Sequence, residues 1–144
     1  MRRMKSLNIT RFLDSAGEVY ITNVLKCRPP GNRNPAVAEI KACTPYLDAQ
    51  LEIIKPEVIA TLGNFSLSYI FDKFGLKKDK ISKMHGKVFT VSTIASVKKI
   101  MPLYHPAVAT YNPGMKEVLV EDFKMLFFTL AKNTNTNQQQ IIFL

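Results

Sequence analysis

Only two cysteines, Cys27 and Cys43, occur in the 144 residues, and tryptophan is absent. In an intracellular protein two thiols are more often free or metal ligands than a disulfide, which stays open for a hyperthermophilic source, and they fall short of the four protein ligands that structural zinc or iron–sulfur sites take. No apolar run approaches the roughly 20 residues that cross a bilayer. The opening MRRMKSLNI has neither the apolar core nor the cleavage site of a signal peptide, so an intracellular, cytoplasmic protein is expected. Acidic residues are scarce, 11 against 20 lysines and arginines, for a net charge of +9. An excess of that size points to a polyanionic partner. Seven lysines, at 77, 78, 80, 83, 87, 98 and 99, stand in residues 76–99 beside the lone Asp79. Charge alone does not separate a solvated basic face from one that binds nucleic acid.

What is present reads as one α/β domain with a mainly parallel sheet. Hydrophobic residues make up 47% of the chain, enough for a single core. Residues 1–9 read as the end of a helix and 10–17 as a connector. Residues 18–26, rich in Val, Tyr, Ile and Thr, read as a strand. The Pro/Gly/Arg run 28–34 is a loop, and Asn34-Pro35 is a helix start. Ile40, Cys43, Leu47, Leu51 and Ile54 recur at helical spacing, with Cys43 on the buried face, and Pro45 is expected to kink or split that helix. Residues 58–62 are almost continuously apolar, the pattern of a parallel strand covered on both faces. A helix over 65–74 closed by Gly75, strands at 88–91 and 100–104, and a last helix from Asn112-Pro113 complete the domain. Leu119, Phe123, Leu126, Phe127 and Leu130 mark the apolar face of that last helix. The low-complexity run NTNTNQQQ makes 132–144 a disordered tail, leaving the domain at 1–131.

Sites in open parallel sheets gather at the C-terminal ends of the strands. Three such ends carry polar residues: Asn23 with Cys27, Gly63-Asn64, and His105-Pro106. The Asn23 amide donates and accepts, so it can read the edge of a heterocyclic base; an amide satisfied by backbone fits its position as well. A neutral His105 can donate to an oxygen that gains charge in a transition state, and a histidine bonded at a turn fits equally. His85, inside the basic stretch, is expected to meet solvent or a phosphate. Cys27 and Cys43 by themselves read as half a metal site or as two unpaired thiols. A phosphate-binding module on Gly63-Asn64 lacks any complete nucleotide motif.

VYITNVLKCRPPGNRNP, Cys43-Thr-Pro-Tyr-Leu, the 55–63 segment KPEVIATLG, and Tyr104-His-Pro-Ala with Asn112-Pro113 together resemble family-4 uracil-DNA glycosylases. These are the thermostable, iron–sulfur-containing members of their superfamily, and the resemblance runs in unbroken order over about residues 1–131. It implies a three-layer αβα sandwich and base excision repair, in which uracil is flipped from DNA and its N-glycosidic bond hydrolysed. It implies that Asn23 reads the uracil edge and that His105 stabilises the charge developing on the leaving base. It implies that Cys27 and Cys43 are two of the four ligands of a 4Fe–4S cluster. The 106–113 loop, with Tyr111, corresponds to the segment that enters the minor groove. Arg28, Arg33 and Lys87 are the expected phosphate contacts. Uracil-containing DNA is the implied partner of a monomer, and a replication clamp stays open as a further one.

The family pattern also opens with a Cys-x-x-Cys pair and a first strand, set in the middle of the sheet, that ends in Gly-Glu-Ala-Pro-Gly. Its carboxylate assists water attack, and a following Phe stacks on uracil. None of these occurs in this chain, and Asp14 and Glu18 precede the first strand present, at the wrong end of the sheet to substitute. The expected consequences are a half-ligated cluster, a sheet without its middle strand, and a product that is inactive and poorly stable alone. A start assigned inside a longer gene, or a truncated gene product, is the expected cause, with Met1 and Met4 internal to the full enzyme. A DNA-binding remnant without excision is the alternative.

Overall fold

In the computed structural model the described residues are 19–92, 96–131 and 141–144. Their elements are β1 (Val19–Ile21), a 3-10 turn (Pro30–Asn32), α1 (Val37–Ile54), β2 (Val58–Leu62), α2 (Asn64–Lys73) and α3 (Ile81–Met84), followed by β3 (Phe89–Thr90), β4 (Lys99–Leu103), α4 (Val108–Tyr111), α5 (Met115–Ala131) and β5 (Ile141–Phe143). The expected elements over 1–9 and 10–17 lie outside the described residues, as do Asp14 and Glu18. No described helix is long and apolar enough to cross a membrane.

The five strands lie in the order β1-β5-β2-β4-β3. All neighbours are parallel except β3, which pairs antiparallel with β4 at one edge. The central strands alternate between two apolar layers, as a strand period of two requires. Val58, Ala60, Met101, Leu103, Ile141 and Phe143 pack with Leu119, Phe123, Leu126 and Leu130 of α5. Ile59, Ile100, Ile142 and Leu144 pack on the other side with Leu47 and Leu51 of α1 and Leu67, Ile70 and Phe71 of α2. Helices thus cover both faces of the sheet, the expected αβα sandwich, and each helix buries the face its apolar spacing marks.

One expectation is overturned at the centre of this sheet. Residues 141–143, placed by composition in a disordered tail, form β5 between β1 and β2, and its three residues are fully buried. Four consecutive apolar residues, Ile-Ile-Phe-Leu, follow the polar run; they suffice for a short strand buried on both faces. The gap expected in the middle of the sheet is therefore filled. Residues 132–140 lie outside the described residues.

Smaller departures have local causes. β1 stops at Ile21 because the chain then curls around Lys26, whose ammonium donates to Thr22 Oγ1, the Asn23 carbonyl and Gln50 Oε1 at 2.9, 2.8 and 2.6 Å. Burial lowers the Lys26 pKa, with Cys43 opposing that effect. α1 begins at Val37, not at Asn34-Pro35, because Glu39 accepts the Ala36 N–H at 2.7 Å and caps the first turn from within. α1 also runs unbroken through Pro45. The proline withholds a donor from the Lys41 carbonyl, and the Thr44 hydroxyl donates to it instead at 3.4 Å.

Candidate functional site

The C-terminal ends of β1, β2, β4 and β5 open into one cleft of about 1100 Å³. Its lining includes Asn23, Cys27 and Arg28 after β1, Phe65 and Ser66 after β2, His105 after β4, and Leu144 after β5. The strand ends singled out by sequence do converge, and the rule that places sites there explains why.

Gly63 allows β2 and β4 to close on each other. It has φ +88°, and a Cβ there would stand 3.3 Å from Cβ of His105. Its N–H donates to the Leu103 carbonyl at 2.9 Å, fixing the strand end that delivers His105. At His105 the Ala107 N–H donates to Nδ1 at 3.1 Å. A ring nitrogen that accepts carries no proton, so the neutral imidazole bears its hydrogen on Nε2 as a donor.

The loop after β1 is ordered by charge. Arg28 Nε donates to Asn32 Oδ1 at 2.6 Å, and Gly31 and Asn32 take left-handed conformations that turn the chain. Arg33 grips Glu39 with two bonds, at 2.9 and 2.6 Å. The Arg33 bonds first, and the Ala36 N–H second, pull the Glu39 carboxyl from 4.5 down to about 2. A carboxylate with a depressed folded-state pKa contributes stability above its unfolded value and loses it as pH falls through the folded one. The gap in melting temperature between the native chain and Glu39→Gln is expected to hold near neutrality and to shrink between pH 4.5 and about 2. A gap independent of pH across that window would show that ionisation of Glu39 contributes nothing.

Other sequence candidates fall outside the cleft. Lys87 is exposed on the loop between α3 and β3, and Tyr111 is 82% exposed at the end of α4. The lysine-rich stretch is partly paired, Lys78 with Asp72, Lys83 with Asp79 and Lys98 with Glu57, at 2.8, 3.2 and 2.8 Å. His85 is half-buried, keeping part of its ring in solvent while also having a partner within the chain. Its Nδ1 lies 2.8 Å from Oδ2 of buried Asp122, and its ring packs on Tyr104 at 4.5 Å. Burial raises the Asp122 pKa, and the His85 bond opposes that rise.

Cys27 is exposed and Cys43 half-buried. No group of three or more metal-ligating side chains occurs among the described residues. A four-thiolate cluster therefore does not fit the donor set of this chain, which has two thiols in all.

Sequence reasoning missed Phe65. It stands 54% exposed at the first turn of α2 while lining the cleft. The signal was available, because an aromatic directly after Gly63-Asn64 at a strand end falls where the site gathers. It also missed Tyr69 on the same wall, whose hydroxyl donates to Asp48 at 2.5 Å and whose pKa burial raises.

A family model, the uracil DNA glycosylase superfamily, matches residues 2–126. The chain belongs to the uracil-DNA glycosylase superfamily. Among curated proteins it is similar to the type-4 uracil-DNA glycosylase of Saccharolobus solfataricus, 48% identical over 85% of this chain and 56% of that relative. The type-4 enzyme of Sulfurisphaera tokodaii is 49% identical over 76% of this chain and 50% of its own length. That of Archaeoglobus fulgidus is 44% identical over 82% and 61%. The chain thus spans about half the length of the curated relatives it matches. In superfamily terms, the matched segment contains α1 to α4 and the first four strands, and ends within α5. β5 lies beyond it.

Proposed function

We propose that the cleft receives a uracil extruded from DNA and that the chain serves its excision in DNA repair. The observation that carries this reading is the meeting of Asn23 and His105 on one cleft, with Nε2 of His105 set to donate. When the C1′–N1 bond breaks, its electron pair passes to the uracil and spreads over N1 and the exocyclic carbonyl oxygens. A fixed N–H at one such oxygen stabilises that charge where it develops. Asn23 reads the base edge, and Phe65 offers an aromatic face on the cleft wall. Water adds to C1′ and releases a proton to solvent, leaving an abasic site. Extrusion costs a few kcal/mol of stacking and pairing. Arg28, Lys87 and Tyr111 are the contacts we propose for the distorted backbone, and Arg33 orders the loop of Arg28 through Glu39.

A second reading, DNA binding without excision, is favoured by one observation. Among the described residues lining the cleft the side-chain carboxylate is Asp72, and Lys78 engages it at 2.8 Å. Two readouts on this chain separate the readings. A duplex with one U·G pair is expected to bind more tightly than its T·G counterpart, and Asn23→Ala to abolish the difference. Equal affinity for both duplexes would overturn the proposed site. Uracil release, followed to long times, is expected to fall about 10²–10³-fold in His105→Ala. Uracil-selective binding with no release establishes the second reading.

A further inference from the structure

β1 carries Asn23 at its end, yet among the described strands β1 has one partner in the sheet, β5. The register is Val19 with Ile141, Tyr20 with Ile142 and Ile21 with Phe143, and the Thr22 N–H donates to the Phe143 carbonyl at 2.9 Å. On its other side β5 pairs with Val58, Ile59 and Ala60 of β2. Leu144 extends that ladder: its N–H donates to the Ala60 carbonyl at 3.0 Å, and its carbonyl accepts from Leu62 N–H at 2.6 Å. Among the described strands, the backbone ladder that joins the Asn23 wall to the His105 wall passes through residues 141–144, while Val19 and Val24 of that wall also pack on the two core layers. The bonds beside that path come from Gln50 of α1, at Tyr20, Thr22 and Lys26.

Side-chain chemistry shows what the slot between β1 and β2 selects. Ile141 and Phe143 fill the layer under α5, while Ile142 and Leu144 fill the layer under α1 and α2. All four are at most 5% exposed. The slot has hydrogen-bonding edges on both sides and apolar walls above and below, so it takes an extended, parallel strand with apolar side chains. The polar run before Ile141 has no such side chains, which confines the match to these four residues.

We propose that the slot between β1 and β2 is a strand-binding surface, that its occupant is this chain's own Ile141–Leu144 segment, and that occupancy locks the Asn23 wall of the cleft to the His105 wall. The locking of β1 is a property of the fold. Its bearing on uracil rests on the function proposed above.

The experiment starts from folded protein, so a failure to fold does not obscure it. A protease recognition sequence is inserted between Thr136 and Asn137 in the intact chain, which is cut after purification and freed of the released fragment by dialysis. Amide hydrogen exchange is then read strand by strand. The expected result is loss of protection at Tyr20 and Thr22, whose amides face β5, to the rate of unstructured amides, while amides of β2 and β4 stay protected. A synthetic NQQQIIFL peptide is expected to restore the β1 amides, and a peptide with Ile142→Asp and Phe143→Asp to leave them exposed.

Unchanged β1 protection after fragment removal overturns the proposal. So does loss of protection through the whole sheet at one rate, and so does restoration by the charged peptide. A fragment that resists dialysis is displaced with an excess of labelled NQQQIIFL, and failure of the label to enter the cut chain also overturns it. Uracil-selective DNA binding is measured on the same samples. If β1 unlocks and refolds as stated while that binding never appears, the function fails and the strand slot stands.

Discussion

Phe143→Ala is expected to lower the unfolding free energy by about 3–5 kcal/mol, the range for removing a fully buried aromatic. Phe143 is 0% exposed and stacks on Phe123 with ring centroids 5.8 Å apart and planes 19° from parallel. The hole left behind cannot close cheaply. β1 and β2 hold the backbone of β5 from both sides, and α5 forms the roof through Phe123 and Leu126. Against a typical domain stability of about 5–15 kcal/mol the loss is large. Chemical denaturation of the two proteins measures it. Met125→Ala, at a position 48% exposed on α5, is the matched control and is expected to stay within about 0.5 kcal/mol. A Phe143 substitution as mild as the control would mean that 141–143 do not occupy the sheet centre in solution.

Gly86→Ala is the second large effect, at about 2–5 kcal/mol, and two costs add. Gly86 has φ +70°, a conformation in which a Cβ costs roughly 1–2 kcal/mol. The added Cβ would also lie 2.5 Å from Oδ1 of Asp122, so the carboxylate must move. Moving it breaks the 2.8 Å bond to His85 and strands a buried acceptor, for about 1–3 kcal/mol more. Gly75→Ala isolates the first cost, because Gly75 has φ +66° and nothing within 4 Å of its added Cβ. Equal melting temperatures for the two variants would show that Asp122 yields without penalty. Since Tyr104 packs on His85 and precedes His105, Gly86→Ala is also the variant to check for a displaced cleft histidine.

Much of the fold was legible because its signals are local. The apolar run 58–62 could only be a covered strand, and β2 has those bounds. Gly75 closes α2 with φ +66°, and Leu119, Phe123, Leu126 and Leu130 all face the core. The convergence of Asn23 and His105 followed from one topological rule, so it too could be read. β5 could not be. Four apolar residues after a low-complexity run carry no periodicity, and their worth lies wholly in the two strands that flank them in space. Pro45 misled for a related reason, since the hydroxyl that compensates it sits on the neighbouring Thr44 and is visible only once the helix exists. The Asp122 partner of His85 was not legible either, because it lies 37 positions away and no local pattern marks it.

The placement of β5 also dictates an order of events during synthesis. Val19 pairs with Ile141, so a strand made early waits for one made after every other described element. Until then the nascent chain can assemble β2, β4 and their helices, but β1 has no neighbour and two strand edges face each other across an empty apolar trench. Contacts this distant along the chain are slow to form, and open edges of this kind recruit other chains meanwhile. Yield in a cell should therefore depend on chaperone supply and on growth temperature more steeply than the finished domain's thermal stability would indicate.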